Sequence, residues 1–236
     1  MDEDEALLAA FLAEPENASA QLAYQAWLSG RGDPRGEYLH LLASLDDPTD
    51  PDEGGPARQR LRELRGQIAT AWADRVDRTL LATGGVYQSQ SLGLGWEYLR
   101  FYSDGTVLSV ISTGTPEEIR RWFARESLPR LGLARGSYTL SGDRLSFSAN
   151  DREAPSPYSI PTGFSGDEED WRQFCEDRDA ELAAQSVDYA GVAGRRVVSL
   201  RWYSHINGAR GVTTYRFVEQ PSGLPGEGES GAGRVP

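Results

Sequence analysis

The chain of 236 residues carries 36 acidic against 24 basic residues, a formal net charge of −12 at pH 7, which argues against nucleic-acid binding because phosphate contacts need a positive field. All 24 basic residues are arginine, so Schiff-base, pyridoxal-phosphate and ordinary P-loop chemistry, each dependent on a lysine, are excluded. A single cysteine, Cys175, rules out an internal disulfide or a multi-cysteine zinc site, and the two histidines, His40 and His205, fall in different halves; neither a metal nor a cofactor is expected.

No run approaches the roughly 20 apolar residues that cross a bilayer, and the acidic opening MDEDEALLAAFLAEP is the reverse of a secretion leader. A cytoplasmic protein without a membrane partner is the expectation. Leu7, Leu8, Phe11 and Leu12 form one helical stripe behind an acidic first turn, and Pro15 stops that helix. A second helix starts after Asn17 or Ser19, turns Leu22, Trp27 and Leu28 inward and ends at Gly30. Asp33-Pro34 starts a third, with Tyr38, Leu41, Leu42 and Leu45 as its apolar face. A Pro/Gly/Asp loop (46–57) precedes a fourth helix carrying Leu61, Leu64, Ile68, Trp72 and Val76 at helical spacing.

The stretch EALLAAFLAEPENASAQLAYQAWLSGRGDPRGEYLHLLASL resembles the short helical repeat-companion domain of some bacterial multi-domain proteins. Where that family has Asp before the tryptophan, this chain has Ala26. The resemblance implies association with other modules and no defined activity. Arg31-Gly32-Asp33 is explained by a glycine helix stop followed by an Asp-Pro helix start, without an integrin-type role. His40 borders the apolar stripe of the third helix and reads as a boundary residue.

From about residue 84 the period changes from 3.6 to 2. Strands are predicted at 85–90, 96–102, 106–112, 136–140, 144–149, 186–191, 196–204 and 212–219. The strongest signal is Asp104-Gly105 between WEYLRFY and VLSVI, because Gly accepts the positive φ of a tight hairpin turn. Ser141-Gly142-Asp143 and Ala193-Gly194 mark two further turns. Eight strands joined largely by hairpins predict a closed antiparallel barrel, since closure removes exposed edges. An insertion at 115–128 opens with a helix-start signature (Thr115, Pro116, Glu118). Ile119, Trp122 and Phe123 would then face the barrel as a lid over one end. A second insertion, 150–184, is read as a helix with Trp171, Phe174, Cys175, Arg178 and Leu182 on one face.

The segments WEYLRFYSDGTVLSV, TPEEI and RGSYTLSGDRLSFS are similar to the C-terminal β-domain of F-box-only proteins, and to small lipocalin-like β-domains of bacterial proteins. No F-box is recognisable in residues 1–80, so ubiquitin-ligase function does not carry over; the resemblance implies a barrel that binds something. The whole chain is therefore read as α+β: a helical domain (1–80), a lipocalin-like eight-stranded barrel (81–219) and a disordered tail (220–236).

Candidate sites are few. Asp167, Glu168, Glu169 and Asp170 suit a solvated helix start better than a cation site. Cys175, beside Glu176 and Asp177, lacks an activating base. No Gly-x-Ser-x-Gly is present, and no catalytic residue is assigned. His205, at a strand end before Asn207-Gly208, would need a neighbouring carboxylate to act as a base. Arg100, Arg201 and Arg216 lie on strands, where surface pairing is the commoner fate. The aromatic set is the best lead, filling the barrel or lining a pocket in it, and the ligand-binding candidates at the interior or mouth are Trp96, Tyr98, Phe101, Tyr138, Trp202, His205 and Tyr215. The expected function is non-catalytic binding or adaptor work on a protein partner; the alternative is carriage of a small apolar ligand in the barrel.

Overall fold

A computed structural model describes residues 2–45, 47–52, 54–91, 95–120, 122–124, 133–150, 169, 173 and 186–219. The helix predicted within 150–184 and the tail 220–236 lie outside them, apart from Glu169 and Gln173.

Residues 1–80 form α1 (Glu3–Ala13), α2 (Ala18–Ser29), α3 (Pro34–Ala43), α4 (Pro56–Arg65), α5 (Thr70–Asp77) and a 3-10 turn, Arg78–Leu80. The caps are those the sequence advertises. Asn17 Oδ1 accepts from the backbone of Ser19 at 3.1 Å and Ala20 at 3.4 Å; Asp33 accepts from the Arg35 backbone at 2.9 Å, with Pro34 in the first turn of α3. The single helix expected over residues 61–76 is two. Gly66 closes α4, its N–H donating back to Arg62 and Leu64, and α5 restarts at Thr70. Leu61, Leu64, Trp72 and Val76 still all face the core, which is why their spacing looked continuous.

The second half is β1 (Gly85–Ser91), β2 (Gly95–Phe101), β3 (Thr106–Ser112), α6 (Pro116–Arg120), β4 (Leu133–Ser141), β5 (Arg144–Asn150), β6 (Val187–Ala193), β7 (Val197–Ser204) and β8 (Arg210–Glu219). Each strand pairs antiparallel with the next, and β8 returns to β1 to close the barrel. The α+β architecture and the eight-stranded antiparallel closure are thus as expected. At the Asp104-Gly105 turn Gly105 has φ +94°, Asp104 Oδ1 accepts from the Thr106 backbone at 3.0 Å, and the strands register Phe101 against Val107.

One apolar core runs from the helices into the barrel. Leu8, Phe11, Tyr24, Leu28, Leu39, Leu61, Trp72 and Val76 belong to the same buried cluster as Tyr87, Phe101, Tyr138, Phe147 and Tyr215. The helices therefore plug the barrel end that carries the β2–β3, β4–β5 and β6–β7 turns. A buried polar junction holds the plug in register. The β4–β5 turn reaches into the helices, where the Gly142 N–H donates to Asp77 Oδ2 at 2.7 Å. Asp77 also accepts from Arg65 Nε at 2.9 Å and from the Tyr38 hydroxyl. Asp143 accepts from Arg58 at 2.9 Å and from Arg62 at 3.3 Å. Both carboxylates are fully buried, a position charges occupy only when paired and hydrogen-bonded.

The insertion helix is not an end lid. α6 carries the expected capping box, Thr115 Oγ1 accepting from the Glu118 backbone at 3.3 Å and Glu118 Oε2 from the Thr115 backbone at 2.7 Å. Ile119 and Phe123 then pack with Val86, Tyr98, Leu108, Val110 and Leu133 in a second core. These strand residues point outward, so α6 covers the barrel's side wall.

Candidate binding site at the far end of the barrel

Which side chains line the interior follows from register, because strand residues alternate faces. Tyr87 opposes Leu99 and Phe217, Leu99 opposes Ser109, and Ser89 opposes Glu97. Tyr138 opposes Phe147, Phe147 opposes Tyr189, and Tyr189 opposes Trp202. Val198 opposes Tyr215, and Leu200 opposes Thr213. All of these face inward. Near the helical plug the space is taken by rings: Tyr87, Phe101, Tyr138 and Phe147 meet edge to face at centroid distances of 5.3 to 5.8 Å, and Phe147 stacks on Tyr189 at 4.5 Å.

The other end, which carries the β1–β2, β3–β4, β5–β6 and β7–β8 connections, is chemically different. Glu97 points into it from β2. The Tyr189 hydroxyl donates to Glu97 Oε1 at 3.0 Å. The buried Tyr215 hydroxyl lies beside the same carboxyl but outside hydrogen-bond geometry, leaving it without a partner. Trp202 Nε1 donates to Thr213 Oγ1 at 3.1 Å, and Ser109 is buried beside Tyr189. Burial pushes the Glu97 carboxyl above the usual range, against the opposing pull of the neighbouring Tyr215 and Tyr189 hydroxyls. Burial likewise raises both tyrosine hydroxyls, with Glu97's charge adding to it, so they stay protonated donors. No arginine among the described residues faces the interior: Arg100 turns outward to donate to the Phe123 carbonyl at 2.6 Å, Arg201 pairs with Asp52, and Arg216 stands opposite Val197 on the outer face.

Of the predicted ligand-binding residues, Phe101, Tyr138, Trp202 and Tyr215 point inward; Phe101 and Tyr138 belong to the ring-filled half, Trp202 and Tyr215 to the Glu97 end. Trp96 and Tyr98 share the opposite parity and point outward. Tyr98 lies under α6 with its hydroxyl on the Gly114 carbonyl at 2.7 Å, while Trp96 is 36% exposed. His205 is outside the barrel too. Its Nε2 lies 2.7 Å from Asp188 Oδ2, and the Ser148 hydroxyl bonds the other oxygen of that carboxylate, pulling Asp188 below its ordinary range. Serine and histidine thus both bind the aspartate on an exposed wall. A Ser-His-Asp relay instead needs histidine between the other two, so this trio cannot activate Ser148.

Glu97 is the residue that sequence reasoning missed. A glutamate in WEYLRFY reads as solvent-facing, and its only signal is that it shares the parity of Leu99 and Phe101. Among the described residues no group of three His, Cys, Asp or Glu could hold a metal ion, and no helix is long and apolar enough to cross a membrane. No protein-family profile, curated protein or solved structure matches this chain.

Proposed function

We propose that this protein is a non-catalytic binding module whose recognition site is the end of the barrel away from the helices. The observation that supports it is the asymmetry of the interior: a ring-filled half against the helical plug, and a half where a half-buried carboxyl stands beside a buried tyrosine hydroxyl that lacks a hydrogen-bond partner. Buried polar groups are normally satisfied, and convergent polar groups on an aromatic wall are the usual make-up of a small-molecule site. The packed rings take the space that a long apolar cargo would fill. Native mass spectrometry of the purified protein, with a thermal-shift screen of a small-molecule library, tests this. A ligand that raises the melting temperature and moves the Tyr189, Trp202 and Thr213 resonances is expected. If no molecule co-purifies and no library member moves those resonances, the reading fails.

A second reading, recognition of a protein partner, is favoured by the outer wall of β6–β8. There Tyr203 and Val212 are 44% and 57% exposed over a groove of about 410 Å³ lined also by Asp188, Ala190, Arg201 and Arg210. An exposed apolar groove of this kind suits a partner segment that presents apolar side chains. Val212→Glu is expected to abolish such binding in a pull-down while leaving the fold intact.

A further inference from the structure

We propose that the barrel site takes a cation, specifically an organic ammonium carried on a short aromatic or aliphatic arm, with Glu97 as its counter-ion and Trp202, Tyr189 and Tyr215 as its wall. The inference rests on the barrel-end reading above and goes further by naming the ligand's charge.

Charge bookkeeping inside the barrel points this way. The inward positions on all eight strands, read from the register, include Glu97 near Tyr189 and Tyr215, yet no described arginine, and the chain contains no lysine. An ionised Glu97 therefore has two tyrosine hydroxyls for company and no positive charge on the strands around it, and a half-buried carboxylate without a counter-charge is disfavoured by its lost hydration. A ligand ammonium supplies the missing charge. It would also present N–H donors both to the carboxylate oxygen that Tyr189 does not use and to the oxygen of Tyr215, whose hydroxyl has no partner. An anion meets repulsion from Glu97, and a neutral molecule leaves the carboxyl without a counter-charge. The excess of acids over the whole chain, 36 against 24 basic residues, raises the local concentration of cations at any entrance.

The pairing also sets a proton balance. Burial holds the proton on Glu97 more tightly than on a free glutamate; an ammonium beside it favours the ionised form, so at a pH where the free site still holds that proton, binding releases it to solvent.

Isothermal titration over a pH series with three matched probes tests the proposal: phenethylamine, phenethyl alcohol and phenylacetate, each in two buffers of different ionisation enthalpy. Phenethylamine is expected to bind at least tenfold more tightly than the alcohol where Glu97 is ionised, with an apparent enthalpy that differs between buffers at the lower pH values where the free site holds its proton, and phenylacetate is expected not to bind. Glu97→Gln should cut the amine's affinity at least tenfold and abolish the buffer dependence while leaving the alcohol unaffected. Should that variant fail to fold, Tyr215→Phe, which keeps the ring and removes the hydroxyl, should weaken the amine several-fold without affecting the alcohol. An alcohol that binds as well as the amine, or an amine indifferent to Glu97→Gln, overturns the ammonium assignment and leaves the barrel-end site standing. Absence of binding by all three also overturns it, and the library screen then decides separately whether the site exists.

Discussion

Asp77 gathers the Tyr38 hydroxyl, Arg65 Nε and the Gly142 N–H on one fully buried carboxylate. Asp77→Ala strands all three donors at once. Its expected cost is about 3–5 kcal/mol, the range for breaking a buried ion pair and a large share of a domain's total stability; the urea midpoint measures it. Glu97 and Asp188 act on pH stability with opposite signs. Burial raises Glu97 above its ordinary 4.5, so the native state holds the proton more tightly than the unfolded chain. Its penalty is absent below that value and grows as pH rises through the folded pKa. His205 and Ser148 lower Asp188 from 3.8, so its contribution is present above that value and lost as pH falls through the lower folded pKa. Glu97→Gln is expected to flatten the decline of stability on the alkaline side and leave the acid limb unchanged, measured as urea midpoints between about pH 3 and 8.

At the level of elements, β2 carries large apolar residues on both faces because both are packed near its C-terminal half. Leu99 and Phe101 fill the barrel while Tyr98 lies beneath α6. Phe123 is fully buried in that outer core, so Phe123→Ala should cost about 3–5 kcal/mol while leaving ligand binding at Glu97 intact. Thermal melts paired with titration separate the two effects. The barrel's tight curvature imposes its own limit. A Cβ on Gly191 would stand 2.0 Å from the Ser199 carbonyl oxygen of the neighbouring strand, so backbone must move to admit any side chain. Gly191→Val is expected to lose about 3 kcal/mol, the upper end of usual overpacking, or to accumulate as insoluble protein.

Across the whole molecule, the helical layer and the barrel share one apolar core and one buried ionic junction. Burial of that interface contributes to offsetting chain entropy in both halves. Far-UV dichroism, reporting the helices, and amide exchange in β4 and β5 should therefore show a single coincident transition. Residues 81–236 expressed alone would present Tyr87, Leu145 and Ala193 to water at the unplugged end, and are expected not to give a cooperative melt. Two separate transitions would show that the halves fold independently.

Local chemistry made much of this legible from the chain alone. Asn17 and Asp33 announce helix starts, Asp104-Gly105 a hairpin, and the period of two a set of strands that closure alone can satisfy. The absent lysines and the single cysteine exclude reactions whatever the fold. Parity was the weak point. WEYLRFY is bulky at nearly every position, so alternation does not say which face of β2 looks inward, and Trp96 and Tyr98, expected at the interior or mouth, both point outward. The break at Gly66 stayed hidden because both helices bury the same kind of face. Glu97 could be placed only by the tertiary structure, since a carboxylate's surroundings depend on strands far away in sequence, here those bearing Tyr189 and Tyr215. Sequence determined which elements form, because capping, turns and periodicity act over a few residues. The closed barrel decided what faces what, because register and closure are set by contacts across the whole chain.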